Sequence, residues 1–160
     1  MNARRQTPKP PLTKWPARFH VTADVVALTI KDGVLQVAVV QRRGDLACID
    51  LKRNGEVREI ERDATHHWAL PGGHVEFEND DIDEAAAREL LEETGIKVTV
   101  DSLIQIGAYG KLGRDPRPGR TVSVAYLAFQ PMFAKPIAGT DANQAHFTSV
   151  LELLAEPNRL

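Results

Sequence analysis

The sequence has one cysteine, Cys48, so no disulfide can form within the chain. We interpret Cys48 as a buried or unused thiol, which is typical of a protein kept in a reducing compartment. No apolar run approaches the roughly 20 residues that span a bilayer. The basic start also lacks the hydrophobic segment of a secretion signal. We therefore expect a cytoplasmic protein with no membrane partner.

Basic and acidic residues are nearly equal in number, and the formal net charge is −2. No long basic stretch is available to neutralise phosphates, which argues against nucleic acid as a partner. With 160 residues, of which 42% are hydrophobic, the chain can bury a single core but not obviously two. We predict a flexible amino-terminal tail at residues 1–16 and one domain at residues 17–160.

Periodicity predicts strands at residues 21–30 and 34–41, joined by a hairpin turn at Lys31-Asp32-Gly33. Residues 44–67 are irregular, with Asn54-Gly55 as a second candidate turn, and the length of this segment predicts a lobe or flap.

Further along the chain, residues 97–105 and 120–130 have the pattern of strands, and residues 150–155 have the pattern of a short closing helix. Together with a strong helix at about residues 82–94, these elements predict an α/β fold, an α/β/α sandwich around a mixed sheet.

The most informative segment, residues 72–96, reads GGHVEFENDDIDEAAARELLEETGI. A glycine turn and an acidic loop precede a helix that Asp81 and Glu84 begin as a capping box, and Gly95 ends it in the left-handed conformation. At about 100° per residue, an apolar stripe should face the core, formed by Ala86, Ala87, Leu90 and Leu91. Ala85 should leave room beside the acidic flank.

Glu89, Glu92 and Glu93 share one flank of that helix, because residues three and four apart are neighbours on a helix surface. Like charges repel one another, and Arg88 is the only basic residue in that turn. A hard divalent cation that prefers oxygen ligands, above all Mg²⁺ with Mn²⁺ as a substitute, would relieve the repulsion. We expect the backbone carbonyl of Gly73 to complete the ligand set.

These residues resemble the Nudix hydrolases, whose signature ends in Arg-Glu, an aliphatic, any residue, Glu-Glu, any residue, Gly and an aliphatic. Residues 88–96 match that half throughout. In the first half, Asp80 stands where the family has Glu, and the gap from Gly73 is one residue longer. Since that Glu braces the signature arginine, Glu76 and Glu78 are alternative partners for Arg88.

The resemblance implies a Nudix-type α/β/α sandwich in which Glu89, Glu92, Glu93 and the Gly73 carbonyl bind the metal. Glu89, Glu93 and Arg88 then form the catalytic set, with Arg88 bracing the carboxylates. It leaves the general base open among Glu89, Asp115 and Asp141. The candidate substrate-binding residues are Arg42, Glu76, Arg114, Arg117 and Arg120.

Residues 109–126 and 138–142 look like the ADP-ribose pyrophosphatase branch of the family. The implied reaction is Mg²⁺-dependent cleavage of a nucleoside diphosphate derivative, first of all ADP-ribose to AMP and ribose 5-phosphate. Two alternatives stay open. One is hydrolysis of other nucleoside triphosphates, including oxidised ones; the other is nucleotide sensing without turnover. The resemblance also suggests a homodimer.

Overall fold

A computed structural model of the chain describes residues 19–42, 45–51, 57–63, 67–76, 80–111, 114–115, 120–139 and 142–155. The strands are β1 (Phe19–Lys31), β2 (Val34–Arg42), β3 (Asp45–Leu51), β4 (Val57–Asp63), β5 (Trp68–Ala69), β6 (Gly72–His74), β7 (Ile104–Tyr109), β8 (Arg120–Phe129) and β9 (Ala142–Ser149). The helices are α1 (Ile82–Thr94) and α2 (Val150–Ala155), and a 3₁₀ turn spans Val100–Ser102.

Within these ranges, seven strands form one mixed sheet in the order β5-β2-β1-β8-β7, with β6 paired to β1 and β9 paired to β2. The long strand β1 runs parallel to β8, while its pairs with β2 and β6 are antiparallel. β1 is therefore the centre of the sheet, and the predicted α/β class with a mixed sheet is confirmed. Neither helix is long and apolar enough to cross a membrane in the part of the chain that the structure describes.

The turn between β1 and β2 forms at the predicted hairpin residues. Asp32 and Gly33 both have positive φ, 52° and 76°. Two consecutive residues of this kind match the right-handed twist of the flanking strands, which is why Asp-Gly is favoured there. The hairpin prediction is confirmed.

α1 packs on one face of β1 through small residues. Alternate residues Ala23, Val25 and Ala27 are fully buried on this face, together with Ala85, Ala86 and Leu90 of the helix. The predicted stripe was therefore partly wrong: Leu91 is 44% exposed, Ala87 is half-buried, and Ala85 belongs to the core rather than leaving space beside the acids. Small alanines on both elements let α1 lie close to the sheet, so its acidic flank is held against a rigid surface.

Three segments differ from the prediction. Residues 97–105 form no single strand; the 3₁₀ turn occupies their middle and β7 begins only at Ile104. Within the segment 44–67, expected to be irregular, β3 and β4 pair as a separate two-stranded antiparallel sheet, and the candidate turn Asn54-Gly55 lies outside the described residues. β9 was not predicted at all, because ANQAHFTS lacks a continuous β-branched pattern. The closing helix α2 is confirmed.

Stability measurements can test which face of α1 packs against the sheet. Leu90→Ala should lower the free energy of unfolding by about 2–5 kcal/mol, because it removes a fully buried side chain and leaves a cavity against β1. Leu91→Ala, its neighbour at 44% exposure, should cost less than about 1 kcal/mol. Urea unfolding followed by circular dichroism measures both. Equal losses would show that the helix face has been assigned wrongly.

Candidate active site

The glycine turn before α1 is fixed to β1 on both sides. The backbone N–H of Val25 donates to the Pro71 carbonyl at 2.8 Å, and the N–H of Val75 donates to the Val21 carbonyl at 3.1 Å. Between these bonds, β6 pairs in the register Ala23↔Gly73 and Asp24↔Gly72. The central strand of the sheet therefore sets the position of the turn.

Each glycine of this turn is required by a different contact. A Cβ on Gly72 would lie 2.5 Å from the Ala23 carbonyl oxygen and 2.7 Å from the Asp24 Cα, both in the backbone of β1. A Cβ on Gly73 would instead run into the carboxylate of Glu89. Gly72 lets the chain lie against the sheet, and Gly73 leaves the space that the Glu89 carboxylate occupies.

Arg88 holds the acids of the site together. Its Nε and Nη2 donate to Asp80 Oδ2 at 3.0 and 2.7 Å, and its Nη1 donates to Glu89 Oε1 at 2.8 Å and Glu92 Oε2 at 3.2 Å. Nη2 also donates to the backbone carbonyl of His74 at 3.1 Å, which ties the arginine to β6. Asp80 is therefore the partner of Arg88, although it is shorter than the signature Glu and follows a longer loop. Glu76 is exposed, and its backbone carbonyl accepts the N–H of Asp80.

Negative charges outnumber positive charges in this group of side chains. Hydrogen bonds from Arg88 hold the pKa of Asp80 below its usual range, and the same bonds, together with those to Glu89, raise the pKa of Arg88. One guanidinium thus faces the carboxylates of Asp80, Glu89 and Glu92, and Glu93 lies next to them on the helix. The excess of negative charge favours a cation at this place.

Glu93 and the end of α1 are fixed by backbone bonds. The N–H of Gly72 donates to Glu93 Oε2 at 2.9 Å, so the turn orients this carboxylate. The helix ends at Gly95, whose φ of 71° is the predicted left-handed stop, and Gly139 donates its N–H to the Glu93 carbonyl at 3.2 Å. A Cβ on Gly139 would overlap the carbonyl oxygen of Glu92. Gly139 thus packs directly on the peptide units of Glu92 and Glu93.

The chemistry of this group fits a hard divalent cation, since carboxylates and backbone carbonyls supply only oxygen. In their present positions the side chains are not grouped as a metal site: among the described residues, no three His, Cys, Asp or Glu side chains are arranged to hold an ion. Arg88 draws Glu89 and Glu92 to itself instead. Glu92 is 51% exposed at its side chain and can rotate away from the arginine.

The other candidate residues are placed as follows. Arg120 lies over the ring of Phe19 at 5.0 Å and donates to the Gly110 carbonyl at 3.3 Å, Arg114 is exposed, and Asp115 is half-buried. The side chain of Arg42, and Glu78, Arg117 and Asp141 entirely, lie outside the described residues. For these substrate-binding and general-base candidates, the predictions from sequence stay predictions.

Sequence reasoning missed two contacts of the site. One is the packing of Gly139 on the end of α1, which has no local signal. The other is Asp24, whose carboxylate oxygen would lie 2.5 Å from a Cβ on Gly72. An acidic residue in the middle of an otherwise apolar, β-branched strand was a signal that could have singled it out.

The two glycines make a matched pair for testing the turn. Gly72→Ala should lower the free energy of unfolding by about 1–3 kcal/mol, because its Cβ meets the backbone of β1. Gly73→Ala should cost less than about 1 kcal/mol, because the Glu89 side chain can swing aside and alanine restricts the unfolded chain. Urea unfolding measures the difference, and a larger loss for Gly73→Ala would contradict the assigned contacts.

The Arg88–Asp80 pair should make the stability of the folded chain depend on pH. Because the pKa of Asp80 is lowered in the folded chain, its contribution to stability is present above about pH 4 and is lost as the pH falls through the lowered pKa. Asp80→Asn should therefore be less stable than the wild type at pH 7, and this difference in stability should narrow as the pH falls below about 4. Thermal melts at pH 7, 5, 4 and 3 follow this change. A gap that stays constant over this range would rule out the pair as its source.

Comparison with known proteins places this chain in a family. The model of the NUDIX domain family matches residues 18–159. An ADP-ribose pyrophosphatase of Methanocaldococcus jannaschii is 40% identical over 80 residues, which cover 50% of this chain and 44% of that protein. The ADPR responsive transcriptional repressor NtrR of Acinetobacter baylyi is 33% identical over 109 residues, or 68% of this chain and 36% of that protein.

Among solved structures, a bifunctional NMN adenylyltransferase/ADP ribose pyrophosphatase of Francisella tularensis, complexed with AMP and a manganese ion, superposes with a TM-score of 0.68. It is 24% identical, and the match covers 93% of this chain and 39% of that one, so this likeness concerns the fold. The chain spans less than half the length of each of these three proteins. The match to the family model over nearly the whole chain confirms the resemblance read from the signature, and the chain belongs to the NUDIX domain family.

Proposed function

We propose that this chain hydrolyses the diphosphate linkage of a nucleoside diphosphate derivative, with ADP-ribose as the substrate and AMP and ribose 5-phosphate as products. The observation that carries the proposal is the surplus of carboxylates around Arg88, next to a turn whose Gly72 N–H orients Glu93. A surplus of this kind beside a close backbone approach suits a site that works on phosphate through a cation.

The charge of the substrate explains why a cation is needed. A diphosphate carries negative oxygens that repel both water nucleophiles and the carboxylates of α1. Mg²⁺, or Mn²⁺ in its place, would be held by Glu89, Glu92, Glu93 and the Gly73 carbonyl. When bound, it would neutralise the phosphate oxygens and lower the pKa of water. A manganese ion accompanies the Francisella protein of similar fold.

The chain's own residues prepare this site. Asp80 and the His74 carbonyl fix the guanidinium of Arg88, which in turn orients Glu89 and Glu92. Glu93 is oriented separately, by the Gly72 N–H. Two independent anchors, one guanidinium and one backbone amide, therefore hold Glu89 and Glu93 before any ligand arrives, which reduces the free energy spent on ordering them, whereas Glu92 would turn away from Arg88 to reach the cation.

The choice of ADP-ribose rests on the relatives. The Methanocaldococcus protein is an ADP-ribose pyrophosphatase, and the Acinetobacter repressor is responsive to ADPR. The repressor also favours a second function, in which the domain binds the nucleotide without turning it over. Both functions require the same ligand class, and the difference between them is measurable as turnover.

The test compares Glu93→Gln with the wild type in a hydrolysis assay. Without Mg²⁺ the wild type should be inactive, and with it ADP-ribose should give AMP and ribose 5-phosphate, separated by chromatography. Glu93→Gln should lower kcat by about 10²-fold or more, because the amide keeps the shape of the side chain but lacks its charge. Glu152→Gln, at an exposed acid on α2, is the matched control and should keep full activity.

A panel of NAD(H), sugar nucleotides and dNTPs under the same conditions identifies the substrate. Faster turnover of a dNTP than of ADP-ribose would replace the proposed substrate by a nucleoside triphosphate. Calorimetric binding of ADP-ribose by a wild type that turns over nothing in the panel would replace the hydrolase by the sensor.

A further inference from the structure

A chain of polar side chains crosses the centre of the sheet on the face opposite α1. It consists of Thr22 and Asp24 on β1 and Ser123 on β8. Thr22 is 3% and Ser123 is 2% exposed, and the next residues of β1, Ala23 and Val25, point to the α1 face. Asp24 is half-buried, and partial loss of hydration is costly for a carboxylate unless hydrogen bonds hold it. Of these three residues, only Asp24 contacts the site described above, through Gly72.

The number of protons available fixes the direction of the hydrogen bonds among these three side chains. The Ser123 hydroxyl donates to Asp24 Oδ2, and a hydroxyl has only one proton to donate. In the contact between Thr22 Oγ1 and Ser123 Oγ at 2.9 Å, Thr22 is therefore the donor. The hydrogen bonds therefore run from Thr22 through Ser123 to Asp24. They join β1 and β8 where Thr22 pairs with Ser123 in the parallel register.

The Asp24 end of this chain of side chains lies beside the glycine turn. Asp24 is opposite Gly72 in the antiparallel register, so both point to the same side of the sheet. A Cβ on Gly72 would lie 2.5 Å from Asp24 Oδ1, and the Gly72 N–H donates to Glu93 Oε2 at 2.9 Å. Standard bond lengths then limit the separation of the Asp24 and Glu93 carboxylates to less than about 9 Å.

We propose that Asp24 is a positioning residue: held by Ser123, its carboxylate fixes the Gly72 backbone so that the Gly72 N–H orients Glu93. Asp24 lies on the other face of the sheet from Glu89 and acts through Gly72, so it is not itself a ligand of the cation. The catalytic meaning of this role rests on the proposed hydrolase function. The effect on the Gly72 amide does not, and it is measurable without metal or substrate.

The strand offers a matched control for a role that is only structural. Thr29 lies on β1 as well, is 3% exposed, and its hydroxyl accepts the Phe133 N–H at 3.3 Å. Thr29→Val removes a part-buried hydrogen bond from the same strand, far from the glycine turn. This substitution should lower the melting temperature and leave the hydrogen exchange of the Gly72 amide unchanged.

The experiment compares the full chain with Asp24→Asn, Ser123→Ala and Thr29→Val. Hydrogen exchange of the Gly72 amide, followed by NMR without metal, should become about 10-fold faster or more in the first two variants. Their Mn²⁺ affinity, measured by electron paramagnetic resonance, should fall by about 10-fold, in line with other residues that orient metal ligands. With ADP-ribose and Mg²⁺, kcat should fall by about 10-fold while KM changes by less than about 3-fold.

The proposal would be overturned if the hydrogen exchange of the Gly72 amide and the Mn²⁺ affinity of Asp24→Asn were those of the wild type. It would also be overturned if Thr29→Val changed both quantities as much as Asp24→Asn does. If Asp24→Asn does not fold, Ser123→Ala decides, because it removes only the hydroxyl that holds the carboxylate. A wild type with no turnover of any nucleotide would refute the proposed function, while the exchange of Gly72 would still decide the role of Asp24.

Discussion

The site depends on one guanidinium that is outnumbered by the acids around it. Arg88 binds Asp80, Glu89 and Glu92, and Glu93 stands beside them with its own backbone donor. One positive charge orders these carboxylates without neutralising them. Their remaining repulsion favours a divalent cation, which in the proposed function would also allow a diphosphate to bind beside the acids.

The fold supplies the rigidity that this arrangement needs. Small residues on both sides, Ala23 and Ala27 of β1 with Ala85 and Ala86 of α1, bring the helix close to the centre of the sheet. The same strand binds the glycine turn through backbone bonds on either side of it. The helix and the glycine turn are therefore both positioned by β1.

Local signals were predictable from the sequence and distant contacts were not. The capping residues of α1, the left-handed Gly95 and the Asp32-Gly33 turn follow from interactions within a few residues, and all three formed as expected. The side of α1 that faces the sheet depends on β1, so the stripe through Leu91 was wrong. Asp24 meets Ser123 from 99 positions away, a pairing that only the parallel register of β1 and β8 creates.

The central claim is that a divalent cation binds among these carboxylates. A crystal soaked with millimolar Mn²⁺, measured at the manganese absorption edge, tests it most directly. The account predicts an anomalous peak at about 2.0–2.6 Å from oxygens of Glu89, Glu92 and Glu93, with Glu92 turned away from Arg88. Anomalous maps with no peak there, with the Arg88 bonds to Glu89 and Glu92 intact, would contradict it.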